Sequence, residues 1–203
     1  MTATSSTEDV IVEAARAVFM QKGFAATRMC DIAQTAGINQ ALLHYYFRTK
    51  DKLFSIVFEK ESINFRSDVL AILKSDLPFF DKLRLMVRKD IEKFKSAPFL
   101  PMFVLNEIHS NPERMLHIAS ESHHDLIFQT FSETVKQEYE AGRIRKVCPE
   151  QLLLSIMGIT MFPYLAEPMI KVSMNLNNSD FAKLMEERED HAIALIENAL
   201  SVQ

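Results

Sequence analysis

Between residues 27 and 54 several side chains are spaced to suit contact with a polyanion and with the edges of bases. Gln40, Ala41, His44 and Tyr45 recur at helical intervals, so a helix would carry them on one side. Gln40 can offer a paired donor and acceptor to adenine. Ala41 can lie against a thymine methyl, and His44 can donate to a guanine edge or a phosphate. The hydroxyls of Tyr45 and Tyr46 can reach phosphate oxygens. Thr27 and Arg28 precede this run, and Thr49 and Lys50 follow it. Both pairs stand where helices would start, and the free N–H groups of a helix start favour an anion. Asn39 is placed to cap the helix that begins at Gln40.

The flanking sequence supplies the elements that would position these groups. Ser5, Ser6 and Thr7 offer N-caps to a first helix, with Glu8 and Asp9 suited to its positive end. Val10, Ile11, Ala14, Ala15, Val18 and Phe19 then follow one helical face, and Gly23 stops it. Thr27 is expected to cap a second helix carrying Met29, Ile32, Ala33 and Ala36, ended by Gly37. A short third helix covers about 40–47. Thr49 caps a fourth that runs to near Lys74. The second and third helices, joined through Ala36-Gly37-Ile38, form a helix-turn-helix, because glycine admits the positive φ that a sharp turn needs. Leu43 and Phe47 should pack inward, leaving Gln40, Ala41, His44 and Tyr45 outside.

Further along, prolines punctuate the chain. Pro78 opens a helix to about Lys95, and Pro98 and Pro101 bracket a break before 102–109. Asn111-Pro112 begins a long helix that Gly142 stops after Glu140. Cys148-Pro149-Glu150 opens an apolar helix. Asn177, Asn178 and Ser179 cap a last one over 180–200. Strand alternation is absent, which predicts an all-α fold of nine or ten helices. Residues 1–50 are expected to form the helix-turn-helix domain and residues 51–203 a helical regulatory and dimerisation domain.

The pattern Ile11-x-x-Ala14-Ala15-x-x-x-Phe19, Gly23-Phe24-x-x-Thr27, Asp31-Ile32-Ala33-x-x-Ala36-Gly37-Ile38 and Leu43-x-Tyr45-Tyr46-Phe47-x-x-Lys50-x-x-Leu53-Phe54 resembles the DNA-binding domain of the TetR family of repressors. Ala41 and His44 stand where many relatives carry glycine and tyrosine. The resemblance spans about residues 8 to 58. It implies a homodimer that sets each recognition helix in a major groove of double-stranded DNA. It also implies a C-terminal helical domain that binds an inducer and dimerises through its last two main helices. The alternative is a regulator of the same fold that has no small-molecule ligand and answers to a protein partner.

Composition bounds the other classes. The chain has 203 residues, 48% hydrophobic and 25% charged, with a net charge of −4. Residues 1–60 carry seven Lys/Arg against six acids, so the acidity lies in the remainder. DNA affinity must therefore come from where the charges sit. Cys30 and Cys148 form no metal or disulfide pattern and read as an apolar filler and a loop thiol. Together with a polar N-terminus, they suggest a cytoplasmic protein. The most apolar stretch, 152–166, contains Ser155, Gly158, Thr160 and Pro163. It is shorter than a membrane span and reads as a buried helix at a core or subunit interface. No catalytic triad, carboxylate pair or phosphate loop is present at usable spacing, so neither an enzyme nor a cofactor is expected. His109, His117, His123 and His124 lack a completing ligand set, so no metal is expected. Met102, Phe103, Asn106, His109, Phe128, Phe131, Met157 and Met161 are the candidates to line a largely apolar effector pocket. The last helix puts Phe181, Leu184, Arg188, His191, Leu195 and Leu200 near one stripe, with residues 186–190 as a solvated charged face.

Overall fold

In a computed structural model of the chain, residues 6–98 and 124–202 are described, with positions 100–102, 105, 109, 112, 113 and 116 between them. The elements are α1 (Thr7–Ala26), α2 (Met29–Thr35), α3 (Gln40–Tyr46), α4 (Lys50–Lys74) and α5 (Phe79–Ser96). Then come α6 (His124–Glu140), α7 (Pro149–Leu165), α8 (Glu167–Ser173), α9 (Asn178–Glu186) and α10 (Arg188–Leu200). No strand occurs among the described residues. The chain divides into two compact units, Met1–Phe65 and Arg66–Gln203. The division falls inside α4, fifteen residues beyond the sequence-based boundary at residue 50.

In the first unit the caps are local chemistry. Ser6 Oγ accepts from the Asp9 N–H, and Asp9 accepts from the Ser6 N–H, a reciprocal box that closes the start of α1. Gly23 (φ 75°) kinks α1, which resumes to Ala26 instead of stopping there. Gly37 (φ 67°) ends α2, with the Ile38 N–H on the Ala33 carbonyl and the Gly37 N–H on the Gln34 carbonyl. This is the Schellman arrangement, and it needs a left-handed residue at its C′ position. Nothing lies within 4 Å of a Cβ built at Gly37, so conformation and not space requires the glycine. The core joins Ile11, Ala15, Ile32, Leu43 and Leu53, all fully buried, to an aromatic trio. Phe54 meets Phe19 edge-on at 4.8 Å and Phe24 at 4.9 Å. Ion pairs Arg16–Glu61 and Lys60–Glu13, each at 2.7 Å, cross between α1 and α4 at the surface.

In the second unit α5 is the central element, packed against α7 and α10, while α6 and α8 also contact α7. Leu83, Val87 and Ile91 of α5 are buried, as are Ile156 of α7 and Ala192, Ile196 and Leu200 of α10. Gly142 (φ 68°) and Asn175 (φ 53°) end α6 and α8 with the same Schellman bonding as Gly37.

Two expectations for this unit are corrected. The single last helix over 180–200 is broken at Glu187 into α9 and α10. The break rephases the stripe: Phe181 and Leu200 are buried, but Leu184 and Leu195 are exposed. Nor is 186–190 simply a solvated charged face. Glu189 pairs with Arg88 at 2.6 Å. Arg188 donates from Nε and Nη2 to the Ile159 carbonyl at 3.2 and 2.9 Å. The cause is Pro163, inside α7. The Ile159 carbonyl would normally accept from the N–H of residue 163, and proline has none. A charged side chain from α10 therefore replaces a missing backbone donor.

The apolar stretch 152–166 forms most of α7, which bends by 75° into α8. No single described helix is long and apolar enough to cross a membrane. The helix is two-sided: Leu152, Ile156, Thr160 and Tyr164 face inward, while Leu154, Met157 and Phe162 are exposed.

Candidate nucleic-acid interface

Helix α3 is held by one face. Leu43 is fully buried and Phe47, just after the helix, nearly so. Asn39 Oδ1 accepts from the Leu42 N–H at 2.8 Å, the expected cap. With that face anchored, helical geometry turns Gln40, Ala41, His44 and Tyr45 to solvent, and all four are exposed. Tyr45 is 81% exposed and stands edge-on to Tyr46 at 5.4 Å. A tyrosine so exposed gains little from packing and is available for contact with a partner.

The flanks are arranged differently from expectation. Thr49 caps α4 as predicted, accepting from the Lys52 N–H at 3.2 Å, and remains exposed. Thr27 does not cap α2. It is buried and donates its hydroxyl to the Gly23 carbonyl at 2.7 Å, tying down the end of α1 after the kink. The residue before α2 is Arg28, whose N–H is met by Asp31 Oδ2 at 3.1 Å. That N–H and the Lys22 ammonium hold the Asp31 carboxyl below the usual carboxylate range. The Arg28 side chain itself is exposed.

Lys50 is the larger departure. Its Nζ donates to the carbonyls of Phe24 at 2.8 Å and Thr27 at 3.1 Å, and lies 4.4 Å from the centre of the Phe24 ring. The ammonium is turned to the carbonyls around the α1–α2 connection, where it neutralises the negative end of α1. The sequence placed Lys50 correctly at a helix start. It could not show that a segment more than twenty residues earlier offers its carbonyls there. The outward-facing cations of this region are Arg28, Arg48 and Lys52, all exposed.

The remaining candidates fall in the second unit. Phe131 is buried, Phe128 and Met161 are partly buried, and Met102, His109 and Met157 are exposed. Phe103, Asn106, His117 and His123 lie outside the described residues, as does the side chain of His124. Among the described candidates, then, Phe131 is core, while Met102, His109 and Met157 are surface. Cys30 is exposed and is no core filler. Cys148 is exposed before α7, its thiol donating to Glu150 Oε2 at 2.8 Å.

A buried helix face, a glycine-ended turn and an outward polar helix thus occur together within residues 11–57. A model of the bacterial regulatory proteins of the tetR family matches the same residues, 11–57. Residues 11–57 are therefore a helix-turn-helix of the tetR type. The chain is 30% identical over 88 residues to the HTH-type transcriptional regulator BetI of Rhizobium meliloti (strain 1021), an alignment covering 43% of each chain. It is 46% identical over 48 residues to the probable HTH-type transcriptional regulator YttP of Bacillus subtilis (strain 168), covering 24% of this chain and 23% of the other. The chain thus spans less than half the length of either relative. In three dimensions the likeness runs the whole length. A transcriptional regulator of the TetR/AcrR family from Thermobifida fusca superposes with a TM-score of 0.62 at 15% identity, covering 92% of this chain and 96% of that one. The TetR architecture of an N-terminal helix-turn-helix unit and a C-terminal helical unit therefore describes this chain.

Proposed function

We propose that this chain is a DNA-binding repressor of the TetR type that binds a palindromic operator as a homodimer and releases it when a small effector occupies the second unit. The observation that carries the reading is the two-sided α3, with Leu43 and Phe47 buried and Gln40, Ala41, His44 and Tyr45 outside. In this reading Gln40 and His44 read bases and Ala41 meets a thymine methyl. Tyr45, Tyr46, Arg28 and Thr49 contact phosphates, while Asn39 caps the reading helix. Thr27 and Lys50 act indirectly, by fixing the α1–α2 connection.

The dimer reading is supported by the exposed face of α7, where Leu154 is 60%, Met157 45% and Phe162 49% exposed, and by Leu195 of α10 at 58%. Apolar surface on two long helices of one unit suits a helix bundle between two copies. Such a protein acts in the cytoplasm, on the DNA it reads. The two reading helices would sit roughly 34–36 Å apart to meet successive major grooves.

Selection of bound duplexes from random DNA by the purified chain tests the whole reading. A palindrome with half-sites about one helical turn apart is expected. Absence of any complex with random duplex at low salt would remove α3 as a reading helix.

A further inference from the structure

A groove of about 460 Å³ opens at one end of the second unit, between the last turns of α6 and the connection that leads into α7. That volume is ordinary for a small-molecule site. The lining comes from α6, from the connection and from Pro149 at the start of α7, with nothing from α5 or α10. The groove is therefore separate from the interior where α5, α7 and α10 pack. On α6, Val135, Lys136, Tyr139 and Glu140 share one face by their spacing. The apolar part of the lining is Val135, which is buried, Val147 and Pro149, which are half-buried, and the exposed ring of Tyr139.

The walls are fastened from outside the groove. Gly142 (φ 68°) ends α6, and Arg143 donates from Nε and Nη2 to the two carboxylate oxygens of Glu138 at 2.7 and 2.8 Å. Ile144 is buried. The Arg145 N–H donates to the Leu200 carbonyl at 2.9 Å, and its Nη2 to the Asn198 carbonyl at 3.2 Å. The connection is thus tied to α6 on one side and to the end of α10 on the other. A groove held in this way is formed before a ligand arrives, which lowers the cost of binding.

Two ammonium groups line it, Lys136 from α6 and Lys146 from the connection. Neither pairs directly with an acid among the described residues. The acids close by are engaged. Glu138 is taken by Arg143. Glu150 accepts from the Cys148 thiol at 2.8 Å, and Lys136 acts on it only through its charge. Glu140 is the carboxylate of the lining, so two ammonium groups stand against one acid, a net charge of +1. A lysine attracts an anion as a point charge, and an exposed tyrosine ring stacks on a flat apolar body.

We propose that this groove binds a small aromatic acid, its carboxylate between Lys136 and Lys146 and its ring against Tyr139 and Pro149. The site is independent of the effector reading above and stands whether or not that reading does.

The chain has no tryptophan, so a naphthalene probe can be followed on the full chain by its own fluorescence. The probes are 2-naphthoate, neutral 2-naphthylmethanol and protonated 2-naphthylmethylamine, with anisotropy reading affinity. The naphthoate should bind about tenfold tighter than either of the others. Lys136→Gln together with Lys146→Gln should remove that preference. Both side chains are exposed, so the melt of this double variant should match that of the parent. Cys148 lines the groove and is exposed, so its thiol reports where the probe sits. In a Cys30→Ser chain, saturating naphthoate should slow maleimide labelling of Cys148 about tenfold. The proposal is overturned if millimolar naphthoate shows no saturable binding, or if the alcohol or the amine binds as tightly. It is equally overturned if the double variant keeps the preference, or if Cys148 is labelled at the same rate with the probe bound.

Discussion

The two units of this chain distribute polarity in opposite ways. The first packs an apolar interior around Phe19, Phe24 and Phe54 and carries its amide, imidazole and phenol groups on the outside of α3. The second takes a carboxylate, a threonine and a tyrosine hydroxyl into its interior at Asp90, Thr160 and Tyr164 and leaves Leu154, Met157 and Phe162 outside. A surface built for a polyanion needs a rigid platform and outward polar groups, because phosphates and base edges stay hydrated until contact. A surface built for apolar partners needs the reverse.

Substitutions can break or sharpen that contrast. The largest effect is expected from Phe19→Ala, which removes the most buried ring of the aromatic trio. It should cost about 3–5 kcal/mol in a denaturant melt, enough to unfold the first unit. A cost under about 1 kcal/mol would mean that the trio is not the platform. The inverted unit should show itself next, through Asp90→Asn. The folded-state value of Asp90 is raised from 3.8 to about 6, so the protonated form favours folding. That contribution is complete below 3.8 and is lost as pH rises through about 6. Stability of the parent chain should therefore fall across this window, by up to about 3 kcal/mol. Asp90→Asn should flatten the profile and melt higher at neutral pH. A parent profile already flat there would place the carboxyl in water.

Arg188→Ala should cost about 1–3 kcal/mol, because it strands a part-buried carbonyl. Pro163→Ala restores the missing N–H, so the double variant should recover most of the loss. Absence of recovery would separate Arg188 from the proline. On the proposed reading surface, Gln40→Ala and His44→Ala should each weaken the selected operator by about 1–3 kcal/mol and relax base choice, with the melt unchanged. Equal weakening on every sequence would make them phosphate contacts. The smallest effect is expected from Lys50→Met, which keeps the alkyl contact with Phe24 and removes the bonds to the α1–α2 carbonyls. It should lower stability by about 1 kcal/mol and leave the salt slope of DNA binding unchanged. A shallower slope would return its ammonium to the phosphates.

The elements of the first unit were legible because their signals are local. A capping asparagine, a glycine that must sit at positive φ, and apolar residues at three- and four-residue spacing act within one or two turns. They placed α2, α3 and α4 to within a residue or two. The outward face of α3 followed from the same periodicity. The second unit was less legible. The starts at Pro78, Pro149 and Asn177 were found from proline and asparagine punctuation, but α8 was not read at all and an apparent stripe over 180–200 concealed the break at Glu187. Cys30 and Met157 look apolar in sequence and are exposed in the fold.

By itself, then, the sequence determined the helices of the first unit, where most of them start and stop, and which side of α3 is polar, since each depends on a few neighbouring residues. Only the tertiary structure decided the fate of individual polar groups. Lys50 turns to carbonyls more than twenty residues away, Arg188 supplies the donor that a proline on another helix lacks, and Asp90 meets Thr160 across α5 and α7. The physical reason is that a side chain's free energy is set by what the fold brings to within a few ångströms of it, and distance along the chain carries no record of that neighbour.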